Sequence, residues 1–267
     1  MDNFKIIQIK KIPVVINIPH ASIFVDDDFK KDFLLSTADL YKFSKEMTDL
    51  YADKLFSKVY KKTGALIAKL SRVAVDMERF WDNKNEPMAK NGMGALYEKN
   101  EQGEIVRKIS KMTRIRGLSI YSEYHHALDR LVKECLEQFG FCIILDCHTY
   151  PAKSRQYDLD KNEDRPEICL GTDKFHTPQS LIDSVKNAFL NRNYSVEENT
   201  PFKGTMVPSR YFNKNQNVFS LMIEVSRKLY MNERTYAKKK YFGKIVNDLG
   251  DCILNGVDGF IKIYDKK

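Results

Sequence analysis

Two histidines stand at the ends of apolar runs: His20 follows Pro13-Val14-Val15-Ile16-Asn17-Ile18-Pro19, and His148 closes Ile143-Ile144-Leu145-Asp146-Cys147-His148. Imidazoles delivered by separate elements suit a catalytic zinc site, which takes three protein ligands and leaves one position for a water whose pKa falls towards about 7. His20 and His148 supply two nitrogens. Asp49, beside Met47 and Leu50 on the inward side of a helical pattern, is the first candidate for the third ligand, with Asp146 and Glu46 behind it. Glu224, inside Ser220-Leu221-Met222-Ile223-Glu224-Val225, is flanked by apolar residues and is costly to bury charged and alone. Its expected role is general base and acid on an activated water.

Arginines provide for an anion. Arg72 and Arg79 bracket Val73-Ala74-Val75-Asp76, and Arg210 and Arg227 follow Gly204 and Glu224. Planar guanidinium groups bind carboxylates bidentately, so a small substrate bearing one or two carboxylates is expected, with Asp76 a ready structural partner for Arg72 or Arg79. His125 lies on an apolar helical stripe and lines the pocket. Its neighbour His126 points about 100° away, towards solvent. His176 stays outside the site.

The elements that must position these groups follow from periodicity. Residues 13–18, 141–145, 167–170 and 219–225 predict buried strands, with shorter ones at 65–70 and 73–75. Apolar residues recurring at three and four predict helices over 37–62, 118–139, 178–191 and 233–255. The polar stretch 81–116 predicts loops or a hairpin around Gly103, where a lid or substrate loop would sit. Alternating strands and helices predict a single α/β domain over residues 1–267, three layers around a mostly parallel, mixed sheet. In such sheets ligands bind beyond the carboxyl ends of the strands, where His20, Asp146, His148 and Glu224 all fall.

Composition narrows the rest. The 44 Lys and Arg against 36 Asp and Glu leave a net charge of +8, yet basic runs are short and acidic residues interspersed, so no nucleic-acid partner is expected. The opening Met1-Asp2-Asn3-Phe4-Lys5 lacks a secretory apolar block and no segment is long and apolar enough to span a membrane, which predicts a cytoplasmic protein with no membrane contact. Five cysteines without a C-x-x-C pair predict free thiols filling the core.

The same residues resemble a family. Pro19-His20-Ala21-Ser22 is similar to the P-H-S-G of the N-formylglutamate amidohydrolase family, Ser71 to Arg79 to its S-R-x-x-V-D-x-N-R, and Leu145 to Pro151 to its D-C-H-S-x-P. Pro201-Phe202-Lys203-Gly204 resembles its P-[FY]-x-G loop, and Met222 to Met231 its I-E-[IV]-N-R-x-L-Y-M signature. The chain departs from these patterns at Ala21-Ser22, at Glu78 and Ser226, where the family has Asn, and in its long 81–116 segment. The resemblance implies a fold akin to zinc carboxypeptidases and phosphorylase/hydrolase-like proteins, a divalent metal with zinc the expected ion, and hydrolysis of N-formyl-L-glutamate to formate and glutamate. It further implies His20 and His148 as ligands, Glu224 as the catalytic carboxylate, and Arg72, Arg79, Arg227 and Gly204 around the substrate. Bulky residues such as Tyr150 or Phe202 would then select the small formyl group. The alternatives are a carboxypeptidase-like or other N-acyl amino acid amidohydrolase, and, from a different class, a basic binding protein without enzymatic activity. Oligomeric state is not legible.

Overall fold

Val- and Ile-rich runs make the middle of one sheet in the computed structural model, which describes residues 2–156, 158 and 160–265; the basic pair Lys266-Lys267 lies outside the described residues. The strands are β1 (Phe4–Ile7), β2 (Val14–Ile18), β3 (Gly64–Ala68), β4 (Cys142–Tyr150), β5 (Ile168–Gly171), β6 (Val196–Glu198) and β7 (Val218–Ser226). They form a seven-stranded sheet in the order β1-β3-β2-β4-β7-β5-β6. Pairs β2–β3, β2–β4, β4–β7 and β5–β6 are parallel, and β1–β3 and β5–β7 antiparallel. Every residue of β2, β3, β4 and β7 is buried, as expected of strands covered on both faces.

The helices are α1 (Asp27–Lys30), α2 (Thr37–Met47), α3 (Ala52–Leu55), α4 (Ser57–Tyr60), α5 (Lys111–Phe139), α6 (Gln179–Leu190) and α7 (Phe242–Tyr264). Residues of α3, α4, α6 and α7 pack on the sheet face that carries Ile16, Ile143, Leu145 and Leu221. Residues of α2 and α5 pack on the opposite face with Val15, Leu66 and Ile144. This is a three-layer α/β domain with a mixed sheet. Hydroxyls cap the helices of the second face: Ser36 accepts from Asp39 N and Ser110 from Thr113 N. Gly140, at φ +78°, ends α5 in the left-handed region. All five cysteines are free and buried.

Several expected boundaries move. The predicted 37–62 helix breaks after Met47: Thr48 is extended, Tyr51 is left-handed at φ 70°, and two single-turn helices follow. The periodicity is real, but tertiary hydrogen bonds override it, because Asp49 N donates to His20 O and Thr48 Oγ1 to Ser22 O. Residues 73–75 form a turn, with Ala74 N and Val75 N donating to Ser71 O. Helix α5 begins at Lys111 rather than residue 118, and α7 runs to Tyr264 from a later start than residue 233. Strands β1 and β6 were not expected from the sequence; both are short and half exposed, without an apolar run to mark them. The hairpin around Gly103 is present as an antiparallel bridge between Lys99 and Ile105.

Candidate active site

Strand parity assembles the site. Along β4, Leu145 and Cys147 enter one core while Asp146, His148 and Tyr150 point to the other face. Parallel register sets Asn17 of β2 beside Asp146, and Glu224 of β7 beside His148. His20 arrives just beyond β2, and Asp49 from the break after α2. All six side chains are buried.

The two imidazoles and Asp49 converge. His20 Nδ1 lies 3.3 Å from His148 Nδ1, His148 Nδ1 lies 3.2 Å from Asp49 Oδ2, and His20 Nδ1 lies 3.8 Å from the same oxygen. Three ligands of a tetrahedral ion, each at about 2.0–2.1 Å from it, stand roughly 3.3–3.4 Å apart, so the triangle fits a zinc-sized cation. His20, Asp49 and His148 therefore form a group able to hold a metal ion.

The far side of each ring supports this. His20 Nε2 lies 2.8 Å from Asp76 Oδ1, and His148 Nε2 lies 3.1 Å from Asp146 Oδ1. A carboxylate only accepts, so whenever a ring is neutral its hydrogen sits on Nε2 and its Nδ1 lone pair turns inward. Two lone pairs and a carboxylate oxygen then meet with no donor among them, an arrangement that a shared proton or a cation resolves. Carboxylates behind ligating histidines recur at metal sites, where they fix the tautomer.

The surrounding charges are strongly perturbed. Burial and Arg72 pull His20 down to about 4. Burial would also lower His148, but Asp146 and Asp49 outweigh it and hold its pKa well above the ordinary range. Burial would raise Asp76, yet Arg72 and His20 hold its carboxyl well below the usual carboxylate range. Asp49 is likewise lowered, against burial, by His148, His20 and Arg227. Glu224 goes the other way: burial lifts its carboxyl to about 8. Its Oε2 is buried without a hydrogen-bond partner among the described residues.

Of the arginines, Arg72 donates twice to the one oxygen Asp76 Oδ2, from Nε at 3.0 Å and Nη2 at 2.8 Å. Arg79 is held more loosely, at 3.8 Å from both Asp76 and Glu86, and its buried Nε has no hydrogen-bond partner among the described residues. Arg227 turns towards Asp49, donating to Thr48 O at 2.8 Å and Asp49 Oδ1 at 3.3 Å. Arg210 is a surface residue paired with Asp129. His125 is half-buried and donates from Nε2 to Met77 O, between Asp76 and Glu78, so it supports the Arg72–Arg79 segment. His126 is exposed, and His176 is buried away from the site between Val218 O and Asn213 N. Gly204 is left-handed at φ +86°, and its carbonyl lies where a side chain on Gly171 would collide with it. This loop brings Met206 N to 3.1 Å from Asp146 Oδ2. Tyr150, on the His148 face of β4, meets Phe202 edge-on at 5.6 Å between ring centroids.

Residues 12–231 match the N-formylglutamate amidohydrolase family. The chain belongs to that family. The matched span runs from before His20 to beyond Arg227, so every residue of the assembly lies within it. Among its relatives is the N-formylglutamate deformylase of Pseudomonas putida, 25% identical over 233 residues, or 84% of this chain and 83% of that protein. Among solved structures, the N-formylglutamate amidohydrolase of Ralstonia eutropha JMP134 shares the fold at a TM-score of 0.82, with 20% identity and all of both chains covered. A gene product of Agrobacterium tumefaciens does so at 0.70, with 16% identity over 99% of this chain and 97% of that one.

Four contributors escaped the sequence reading. Asn17 donates to Asp146 and Glu78, at 2.9 and 2.8 Å, and accepts from Tyr124 OH at 2.6 Å. Tyr97 OH donates to Asp76 at 2.9 Å. Asn17 did carry a signal, a polar residue inside the buried run 14–18, the argument that singled out Glu224. Glu78 was marked only as a departure from the family's Asn, and Tyr97 and Tyr124 carried no signal, since loop and helix positions tolerate polar groups freely.

Proposed function

We propose that the protein hydrolyses an N-acyl amino acid, N-formyl-L-glutamate foremost, to formate and L-glutamate with the aid of a divalent cation, zinc above others. One observation carries the reading: the buried Oε2 of Glu224, without a hydrogen-bond partner among the described residues, belongs to a carboxyl that stands in register beside His148 of the His20–Asp49–His148 triangle. A cation held by that triangle would acidify a water and polarise the acyl carbonyl. Glu224, which a neighbouring cation would keep ionised against the lift of burial, takes a proton from the attacking water and returns it to the leaving nitrogen. Asp76 and Asp146 fix the two rings, and Arg227 serves through Asp49. Arg79, with an N–H to spare, and Arg72 receive a substrate carboxylate. Tyr150 and Phe202 wall the acyl side, and the Gly204 loop and His125 complete the surround.

Charge favours an anionic substrate. Asp49, Asp76 and Asp146 are held ionised and face Arg72, Arg79 and Arg227, and a divalent cation would add positive charge beside them.

The test is formate release from N-formyl-L-glutamate by purified protein, with a chelator and after zinc is restored. Release should stop and return, and Glu224→Gln should lower it by about 10²–10⁴-fold while zinc content is retained. Undiminished release in Glu224→Gln would remove that residue from the chemistry. Release of acetate or an amino acid from other N-acyl or peptide substrates, but no formate, would favour the carboxypeptidase-like alternative.

A further inference from the structure

Beside the site, a second guanidinium meets the end of α2. Arg155 lies on the segment after β4 and donates from Nη2 to Glu46 O at 2.9 Å; Arg227 donates to the same carbonyl from Nη1 at 3.4 Å. Arg227 in turn reaches Asp49 Oδ1. Arg155 is thus linked to a candidate ligand by one shared carbonyl and one arginine. Its segment is fixed at its start, because Ala152 N donates to the Glu233 carboxylate, and the Arg155 guanidinium also rests on Met47 Sδ at 3.7 Å.

The carboxylate paired with Arg155 comes from elsewhere in the chain. Glu101 sits at the tip of the hairpin bridged between Lys99 and Ile105, a turn ordered by Asn100 Oδ1 accepting from Gln102 N and Glu104 N. From there its carboxylate pairs with the Arg155 guanidinium. Both side chains are largely withdrawn from solvent, 17% and 21% exposed, although each lies on a loop. A carboxylate on an arginine at the rim of the site is the contact that a substrate's second carboxylate would make there.

We propose that Arg155 selects for that second carboxylate, the side-chain one of N-formylglutamate, and that Glu101 competes with the substrate for the same guanidinium. The inference rests on the hydrolase reading above. Arg72 and Arg79 lie around Asp76, behind His20, and take the first carboxylate; Arg155 takes the second, and the hairpin tip withdraws as it binds. The two substitutions then act in opposite directions. Removing Arg155 weakens recognition of the diacid, whereas neutralising Glu101 strengthens it.

The experiment compares N-formyl-L-glutamate with N-formyl-L-glutamine, which differ only in the side-chain charge, on the zinc-loaded wild type, Arg155→Met and Glu101→Gln. Arg155→Met should lower the preference for the diacid, as a ratio of kcat/KM values, by about tenfold or more. Glu101→Gln should lower KM for the diacid, an outcome that damage to the fold does not produce. A latch that only holds two loops together would change both substrates alike and leave the ratio where it was, which overturns the proposal; so does a raised diacid KM in Glu101→Gln. Calorimetric binding of L-glutamate and L-glutamine to the same proteins separates the two readings. If wild type cleaves neither substrate, the N-formyl amidohydrolase reading fails. Arg155 is still judged by whether wild type prefers glutamate and Arg155→Met loses that preference.

Discussion

His148 shows how much of this site is decided one residue at a time. Its ring is held at both nitrogens, by Asp146 behind and Asp49 in front, and Asp146 is itself fixed by Asn17 and Met206 N. The apolar–Asp-x-His pattern pointed to this ring directly, because two polar groups on a buried strand need partners. It could not point to Asp76 as the partner of His20, since only the fold brings a residue 56 positions away against it. His125 gives a test at the same scale. Burial lowers its pKa and outweighs the opposite pull of the bond from Nε2 to Met77 O, so the folded state resists charging it. A folded pKa below the unfolded value of about 6.5 means that the unfolded chain binds more protons as pH falls through that region. Stability is therefore undiminished above about pH 6.5 and declines towards the depressed folded value. The urea midpoint should drop between pH 7.5 and 5.5, and drop less in His125→Gln; equal drops would acquit His125.

Elements convert these preferences into geometry. In β4 and β7, alternate residues serve the core and the chemistry, so a slip of one position would send Leu145 and Cys147 to the site and Asp146 and His148 into the apolar layer. The strands were legible because their apolar runs are long. The 37–62 helix was misjudged because a 3.6-residue period shows which side is apolar and is silent about an interruption, and Asp49 reaches the histidines only through that interruption. The end of α5 is more local. At Gly140 an added Cβ would meet no heavy atom within 4 Å, so Gly140→Ala isolates the backbone cost of the left-handed turn. That cost is about 1–2 kcal/mol, and each kcal/mol lowers the Tm of a chain this size by roughly 2–4 °C. An unchanged melting temperature would mean that the last turn frays without consequence.

For the molecule as a whole, the α/β layering was readable from alternation alone, and the short edge strands β1 and β6 were not, because pairing with a neighbour rather than their own sequence defines them. The strand residues of the candidate site, Asn17, Asp146, His148 and Glu224, share one face of the sheet, and the other face is left to packing among α3, α4, α6, α7 and the strands. The buried cysteines turn this arrangement into a clock. Cys147 stands between Asp146 and His148 but faces the apolar layer, and burial raises its thiol, like those of Cys142 and Cys169, away from the reactive thiolate form. A thiol reagent should leave all five untouched on the time scale of catalysis and label them only as fast as the structure opens. The rate at which Cys147 is modified, read by mass spectrometry of its peptide, then reports how often the central strand is released, and saturating metal should slow it if the two faces of β4 come apart together.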